Sequence, residues 1–207
     1  MTPSNRPVHR CANAQRVRMS AVVSGWLLFI GAMPAAAGDH YAVVVTGASG
    51  GGVYAENYDR WREAFVKTLH DTLGYKDSRV FVLAERERAG VLTATRENIQ
   101  RVLGDLRRQL SKNDQLLILL IGHGTSVDGE NGKFNLVGPD LAAVEWADLL
   151  KPIAGRLVFV DTTGASYPFL RRLAASGRIV LTATDSAGQR FETVFPEFFL
   201  EAFATDS

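Results

Sequence analysis

Residues 115–125 constrain the fold of this chain more than any other stretch. They contain an uninterrupted apolar run, residues 116–121, which is followed by Gly-His-Gly. An apolar run of this length, entered after the turn-forming residues 112–114, is typical of a strand that is buried on both faces of a parallel sheet. Ligands of open α/β sheets bind beyond the carboxyl ends of such strands, so His123 is predicted to face a functional cleft.

Strand-like and helix-like segments alternate along the rest of the chain. The alternation implies right-handed crossovers, and therefore an α/β fold: a three-layer α/β/α sandwich around a mostly parallel sheet of about five strands. The polar, turn-rich residues 125–134 predict a hairpin or surface excursion directly beyond His123. Strands are predicted at residues 41–46, 79–84, 115–121, 156–161 and 178–184, and helices at residues 57–73, 144–150, 168–174 and 194–203, with one more helix capped by Thr95.

Residues 1–37 differ in composition from the rest of the chain. Four arginines precede an apolar run at residues 21–33, which Pro34 and three alanines follow. A basic region, an apolar region and an A-x-A site predict a cleaved signal peptide. Residues 38–207 are then the mature domain, which is expected to be periplasmic or secreted. The alternative is an uncleaved N-terminal anchor, for which the apolar run is short, since a membrane span needs about 20 residues.

Cleavage would leave a domain with a small negative charge and no cysteine. The predicted leader holds four arginines and no acidic residue, so 19 basic residues remain against 22 acidic ones, a net charge near −3. This balance does not favour nucleic-acid binding. The single cysteine, Cys11, would leave with the leader, so we expect neither a disulfide nor a thiol. His40, His70 and His123 are scattered and form no metal motif, so no metal, no cofactor and no membrane contact after cleavage is predicted.

A glycine-rich loop follows the first predicted strand. Residues 45–52, Val-Thr-Gly-Ala-Ser-Gly-Gly-Gly, look like the opening of a short-chain dehydrogenase, in which such a loop lets the backbone approach a pyrophosphate. The last glycine of that pattern would fall on Val53, however, and no Tyr-x-x-x-Lys follows. The Gly-Lys-Ser/Thr ending of a phosphate-binding loop is also missing from it. We therefore predict a flexible loop that lines the cleft.

A second buried strand also ends in small and polar residues, the sequence Asp-Thr-Thr-Gly-Ala-Ser at residues 161–166. Its end is predicted to lie beside His123. In this arrangement the sequence resembles the legumain-type and caspase-type cysteine peptidases, in which a His-Gly after one strand faces a cysteine after the next. Residues 121–124 fit the first motif, and residues 41–47 with Asn57-Tyr58 are similar to the legumain entry strand and loop. The resemblance spans about residues 40–203.

The resemblance implies a caspase-like fold with His123 as the catalytic histidine and an oxyanion-binding amide near Gly124. Laid on the family's second motif, Asp161 takes the place of the acid and Thr163 that of the cysteine. A threonine hydroxyl has a far higher pKa than a thiol, and interior threonines seldom act as nucleophiles. We therefore expect an inactive peptidase homologue that binds a peptide or protein segment. The candidate substrate-binding residues are Arg60, Asp161, Ser166 and Asp185.

Two other functions stay open at the level of sequence. In the first, Thr163 or Ser166 attacks an amide or ester with His123 as base. In the second, the chain is an exported scaffold that uses an outer face, its cleft inert. Read without the family, Asp161 and the hydroxyl residues after it supply turn hydrogen bonds, and His123 is a structural histidine. The oligomeric state is not predicted.

Overall fold

The apolar run at residues 116–121 lies in the middle of a six-stranded, entirely parallel sheet in the computed structural model, which describes residues 38–189 and 191–204. The strands, in chain order, are β1 (His40–Thr46), β2 (Val80–Ala84), β3 (Val91–Thr93), β4 (Gln115–Ile121), β5 (Gly124–Ser126), β6 (Gly132–Phe134), β7 (Leu141–Ala142), β8 (Arg156–Asp161) and β9 (Arg178–Thr182). The order across the main sheet is β3-β2-β1-β4-β8-β9, so the prediction that β4 is central is confirmed.

Helices cover both faces of this sheet, which confirms the predicted three-layer α/β/α architecture. A 3₁₀ turn, Asp77–Arg79, precedes β2. The helices are α1 (Gly52–Asp71), α2 (Arg96–Gln109), α3 (Ala143–Leu150), α4 (Tyr167–Leu173) and α5 (Phe195–Ala204). Helices α1 and α5 lie on one face, and α2, α3 and α4 lie on the other.

Alternate residues of the central strands fill two separate cores. In β4, Leu116, Ile118 and Leu120 pack towards α2, α3 and α4, and the residues between them pack towards α1 and α5. All residues of β4 after Gln115 are buried. Burial on both faces explains why this strand reads as a continuous apolar run rather than an alternating one.

Two predicted features need adjustment, and a third is confirmed. The sheet has six strands rather than about five, because β3 is only three residues long and too short to give a periodic pattern. Helix α1 begins at Gly52 rather than at residue 57, since the glycines that start it carry no helical signal. The polar stretch beyond His123 is a hairpin as predicted: β5 and β6 pair antiparallel, and β7 completes a small second sheet.

A buried aspartate joins the amino ends of three neighbouring strands. The Asp114 carboxylate accepts hydrogen bonds from the main-chain N–H groups of Ser111 and Asp39, both at 2.7 Å. Its main-chain carbonyl accepts a third from the N–H of Arg156 at 2.9 Å. The bonds from Ser111 and Asp39 hold the pKa of Asp114 below its usual range, so the side chain stays ionised and bonded.

The predicted signal peptide lies outside the described residues. Within residues 38–189 and 191–204, no helix is both long and apolar enough to span a bilayer.

Candidate functional site

The turns after β4 and β8 touch each other at the carboxyl edge of the sheet. The two strands pair in parallel, with Leu120 opposite Asp161. A Cβ atom added to Gly124 would lie 2.5 Å from Thr163 Oγ1 and 2.0 Å from the carbonyl oxygen of Gly164. Only glycine permits so close an approach. The structure thus brings the His-Gly turn and the Thr163 turn together.

His123 is held by a carbonyl of the glycine-rich loop. Its Nε2 lies 3.0 Å from the main-chain oxygen of Ser49. Because a carbonyl only accepts hydrogen bonds, Nε2 must carry the proton, and Nδ1 is the nitrogen with the free lone pair when the ring is neutral. The main-chain carbonyl of His123 also accepts a hydrogen bond from the N–H of Asn135 at 3.0 Å. None of the described residues bonds Nδ1.

Two tyrosines of α1 pack against the His123 ring. The Tyr54 and Tyr58 ring centroids lie 4.7 and 5.6 Å from that of His123, both in edge-on arrangements. The Tyr58 side chain is buried, and its hydroxyl has no hydrogen-bond partner among the described residues. Burial raises the pKa of Tyr58, and the nearby carboxylate of Glu192 raises it further. An aromatic wall with an unused hydroxyl therefore lies beside the histidine.

The Thr163 hydroxyl is committed to its own turn. It donates its proton to Asp161 Oδ1 at 2.7 Å, and the carbonyl oxygen of Gly164 also lies within 3.0 Å. The side chain is 1% exposed. A nucleophilic hydroxyl must be open to the substrate and must give its proton to a base. Thr163 meets neither condition in this structure.

Asp161 is a fully buried carboxyl group. Its Oδ1 accepts hydrogen bonds from both the N–H and the hydroxyl of Thr163, whereas its Oδ2 has no partner among the described residues. Burial raises the pKa of Asp161 to about 7, and the two bonds from Thr163 oppose this shift only in part. Because it is buried, the predicted role of Asp161 in substrate contact has no support in this structure.

Ser166 is also buried, and it ties α4 to the end of β9. Its hydroxyl lies 3.1 Å from the Thr184 hydroxyl and accepts a hydrogen bond from the Thr184 N–H, also at 3.1 Å. A serine that is fully enclosed and bonded in this way contacts no ligand. The predicted substrate-binding role of Ser166, like its alternative role as nucleophile, therefore lacks support as well.

Two segments cover the turn at residues 161–166. The Gln189 carbonyl accepts a hydrogen bond from the Ala165 N–H, and the Thr193 hydroxyl donates one to the Thr162 carbonyl, each at 2.6 Å. On the other side, a Cβ atom on Gly132 of β6 would lie 2.5 Å from the carbonyl oxygen of Ala165. The hairpin and the chain before α5 thus enclose the turn, which explains its burial.

The other two predicted binding residues, Arg60 and Asp185, do not meet at His123. Arg60 is exposed on α1 and donates a hydrogen bond to the side chain of Asn57 at 2.9 Å. Asp185 is exposed beyond β9, two strands away from β4, and lines an open groove of about 450 Å³ with Tyr167 and Leu170. Neither makes a described contact with His123.

Sequence reasoning missed the groups that surround the histidine. Tyr54 and Tyr58 are four residues apart, and this spacing would have placed both on one face had the start of α1 been recognised. No pattern in the sequence links Ser49 to Glu85, whose carboxylate lies 2.7 Å from the Ser49 hydroxyl. In residues 38–189 and 191–204, no group of three or more His, Cys, Asp or Glu side chains is placed to hold a metal ion.

Comparison with known proteins gives no family. No family model matches the chain, and no curated protein matches it. Among solved structures, protein GSU0716 from Geobacter sulfurreducens aligns with a TM-score of 0.43 and 15% identity. The alignment covers 82% of this chain and 66% of that one, so this chain spans just under two thirds of the other protein's length. A likeness of this degree carries no argument about function.

Proposed function

We propose that this chain is an exported, caspase-fold homologue of legumain-like peptidases that binds a peptide or protein segment in front of His123 without cleaving it. The observation that carries the proposal is the state of Thr163, which occupies the nucleophile position of the resembled family. Thr163 is 1% exposed, and its hydroxyl is hydrogen-bonded within its own turn. A general base needs a hydroxyl within about 3 Å that is free to give up its proton.

Peptide binding is supported by the groups that remain available around the histidine. Nδ1 of His123 can accept a hydrogen bond from a main-chain N–H, because Nε2 is the nitrogen that carries the proton. Tyr54, which is half-buried, supplies an aromatic surface beside the ring, which is a common feature of binding sites. Val53 at the start of α1 is 74% exposed, and Phe191, in the segment that contacts the Thr163 turn, is 89% exposed.

The test is a diverse peptide pool incubated with the purified protein and analysed by mass spectrometry for cleavage products and for retained peptides. We expect no cleavage and selective retention. His123→Ala should weaken retention about three- to tenfold, the free energy of one hydrogen bond. His40→Ala is the matched control, because His40 lies at the opposite, amino-terminal end of β1 and should leave retention unchanged.

Two results would contradict the proposal, and they point to different alternatives. Cleavage that is lost in both His123→Ala and Thr163→Ala would establish a peptidase with a hydroxyl nucleophile. If no peptide of the pool is retained, the proposed peptide site has no ligand. That result would favour the alternative that the chain is a scaffold that uses an outer face.

A further inference from the structure

We infer that Glu85 is a positioning residue for His123 and acts on it through Ser49. The inference rests on the proposed function in one respect, namely that His123 is the group a bound peptide meets. Glu85 follows directly after β2, at the same carboxyl edge of the sheet as His123. It is separated from the histidine by the glycine-rich loop after β1, so it touches no ligand itself.

The contacts form a short chain from the carboxylate to the imidazole. The Ser49 hydroxyl donates a hydrogen bond to Glu85 Oε2 at 2.7 Å, and the main-chain oxygen of the same serine accepts the Nε2 proton of His123 at 3.0 Å. Ser49 is 4% exposed. The Ser49 side chain therefore anchors the loop to Glu85, and the Ser49 main chain binds the His123 ring.

The glycine-rich loop needs the hydrogen bond to Glu85 because no packing contact fixes the residues that follow Ser49. A Cβ atom added to Gly50, Gly51 or Gly52 would meet nothing within 4 Å, and Gly50 has a φ of +68°. Glycines in open space leave the backbone many conformations. The Ser49 hydroxyl makes two described hydrogen bonds. It donates one to Glu85, and it accepts a longer one, at 3.4 Å, from the Gly51 N–H.

The surroundings of Glu85 suit a carboxylate acceptor. It lines a polar cavity of about 30 Å³, whose wall includes Arg86 and Arg88 as well as Asp59. Arg88 pairs with Asp59 at 3.1 Å, and Arg62 of α1 also pairs with Asp59. Glu85 Oε2 therefore accepts the hydrogen bond that the Ser49 hydroxyl donates.

The chemical consequence is control over which nitrogen of His123 is left to accept a hydrogen bond from a peptide. While the Ser49 carbonyl holds Nε2–H, the Nδ1 lone pair points away from that bond and accepts a hydrogen bond from a peptide N–H. If the loop is released, the ring is free to rotate and to exchange its proton with water. The positioning role therefore predicts a spectroscopic change at His123 in variants that leave the ring itself intact.

The test uses the full chain with nitrogen-15-labelled histidine, and His123→Ala assigns the ring signals. In the unaltered protein, the Nε2 proton should be protected from exchange with water. Glu85→Ala and Ser49→Ala should both abolish this protection and weaken peptide retention about three- to tenfold. Glu85→Gln keeps an acceptor for the serine hydroxyl and should preserve both properties. Glu87→Ala, at a neighbouring exposed site, is the matched control.

The outcomes separate this inference from the proposed function. The positioning role would be overturned if the Nε2 proton stays protected in Glu85→Ala. It would also be overturned if Glu85→Gln loses this protection as fully as Glu85→Ala does. If Glu85→Ala does not fold, Ser49→Ala gives the same answer. Loss of protection in a protein that retains no peptide would support the role of Glu85 and contradict peptide binding.

Discussion

The variant Gly124→Ala is expected to unfold about 6–12 °C below the unaltered protein, which corresponds to about 3 kcal/mol for a chain of this size. The added methyl group would lie 2.0 Å from the Gly164 carbonyl oxygen and 2.5 Å from Thr163 Oγ1. Both atoms belong to a fully buried turn, so neither moves away without disturbing the end of β8. Thermal unfolding followed by circular dichroism measures the change.

Gly104→Ala is the matched control for this prediction. Gly104 lies inside α2, and a Cβ atom there meets nothing within 4 Å. Alanine in a helix interior should raise the free energy of unfolding by about 0.5–1 kcal/mol relative to glycine. The two substitutions add the same group and should have opposite effects. An unchanged melting temperature in Gly124→Ala would mean that the turns after β4 and β8 are not in contact.

The second large effect is a loss of stability between about pH 4 and pH 7 that originates at Asp161. Burial raises the pKa of this carboxyl group from 3.8 to about 7. Below about pH 4 the group is protonated in the folded and the unfolded chain alike. Between these values only the folded chain keeps the proton, so the free energy of unfolding falls as pH rises, by on the order of 4 kcal/mol in total.

Asp161→Asn isolates this contribution from other titrating groups. The amide oxygen can still accept both hydrogen bonds from Thr163, and the side chain carries no charge at any pH. Urea unfolding at pH 4 should give nearly equal stability for the two proteins, whereas at pH 8 the asparagine variant should be the more stable. If the difference in free energy of unfolding between the two proteins is the same at pH 4 and pH 8, Asp161 is not the source of the pH dependence.

Much of the fold was predictable because the main sheet is covered on both faces. Strands such as β1 and β4 form continuous apolar runs, and α2 carries an apolar stripe behind a capping threonine, whose hydroxyl accepts a hydrogen bond from the Asn98 N–H at 3.2 Å. These signals are local and need no knowledge of tertiary structure. The three residues of β3 gave no such signal, because their place in the sheet depends on pairing with β2.

The approximate location of the site was predictable, whereas the state of its residues was not. The meeting of the turns that carry His123 and Thr163 follows from topology alone, since neighbouring parallel strands end at the same edge. The burial of Thr163 depends on Gln189 and Thr193, whose chain returns over the turn from far along the sequence. No local pattern encodes that return, which is why buried groups such as Ser166 were taken for ligand-binding ones.

The burial of β4 on both faces also affects how the sheet assembles. Because each face of the strand offers aliphatic side chains, sliding β4 along β1 or β8 would exchange one apolar neighbour for another, and hydrophobic burial alone discriminates poorly between the alignments. Asp114 does discriminate between alignments with β1, since a displaced carboxylate would lose the hydrogen bond from the Asp39 N–H. One polar side chain at the amino ends of β1 and β4 therefore favours a single alignment of these two strands.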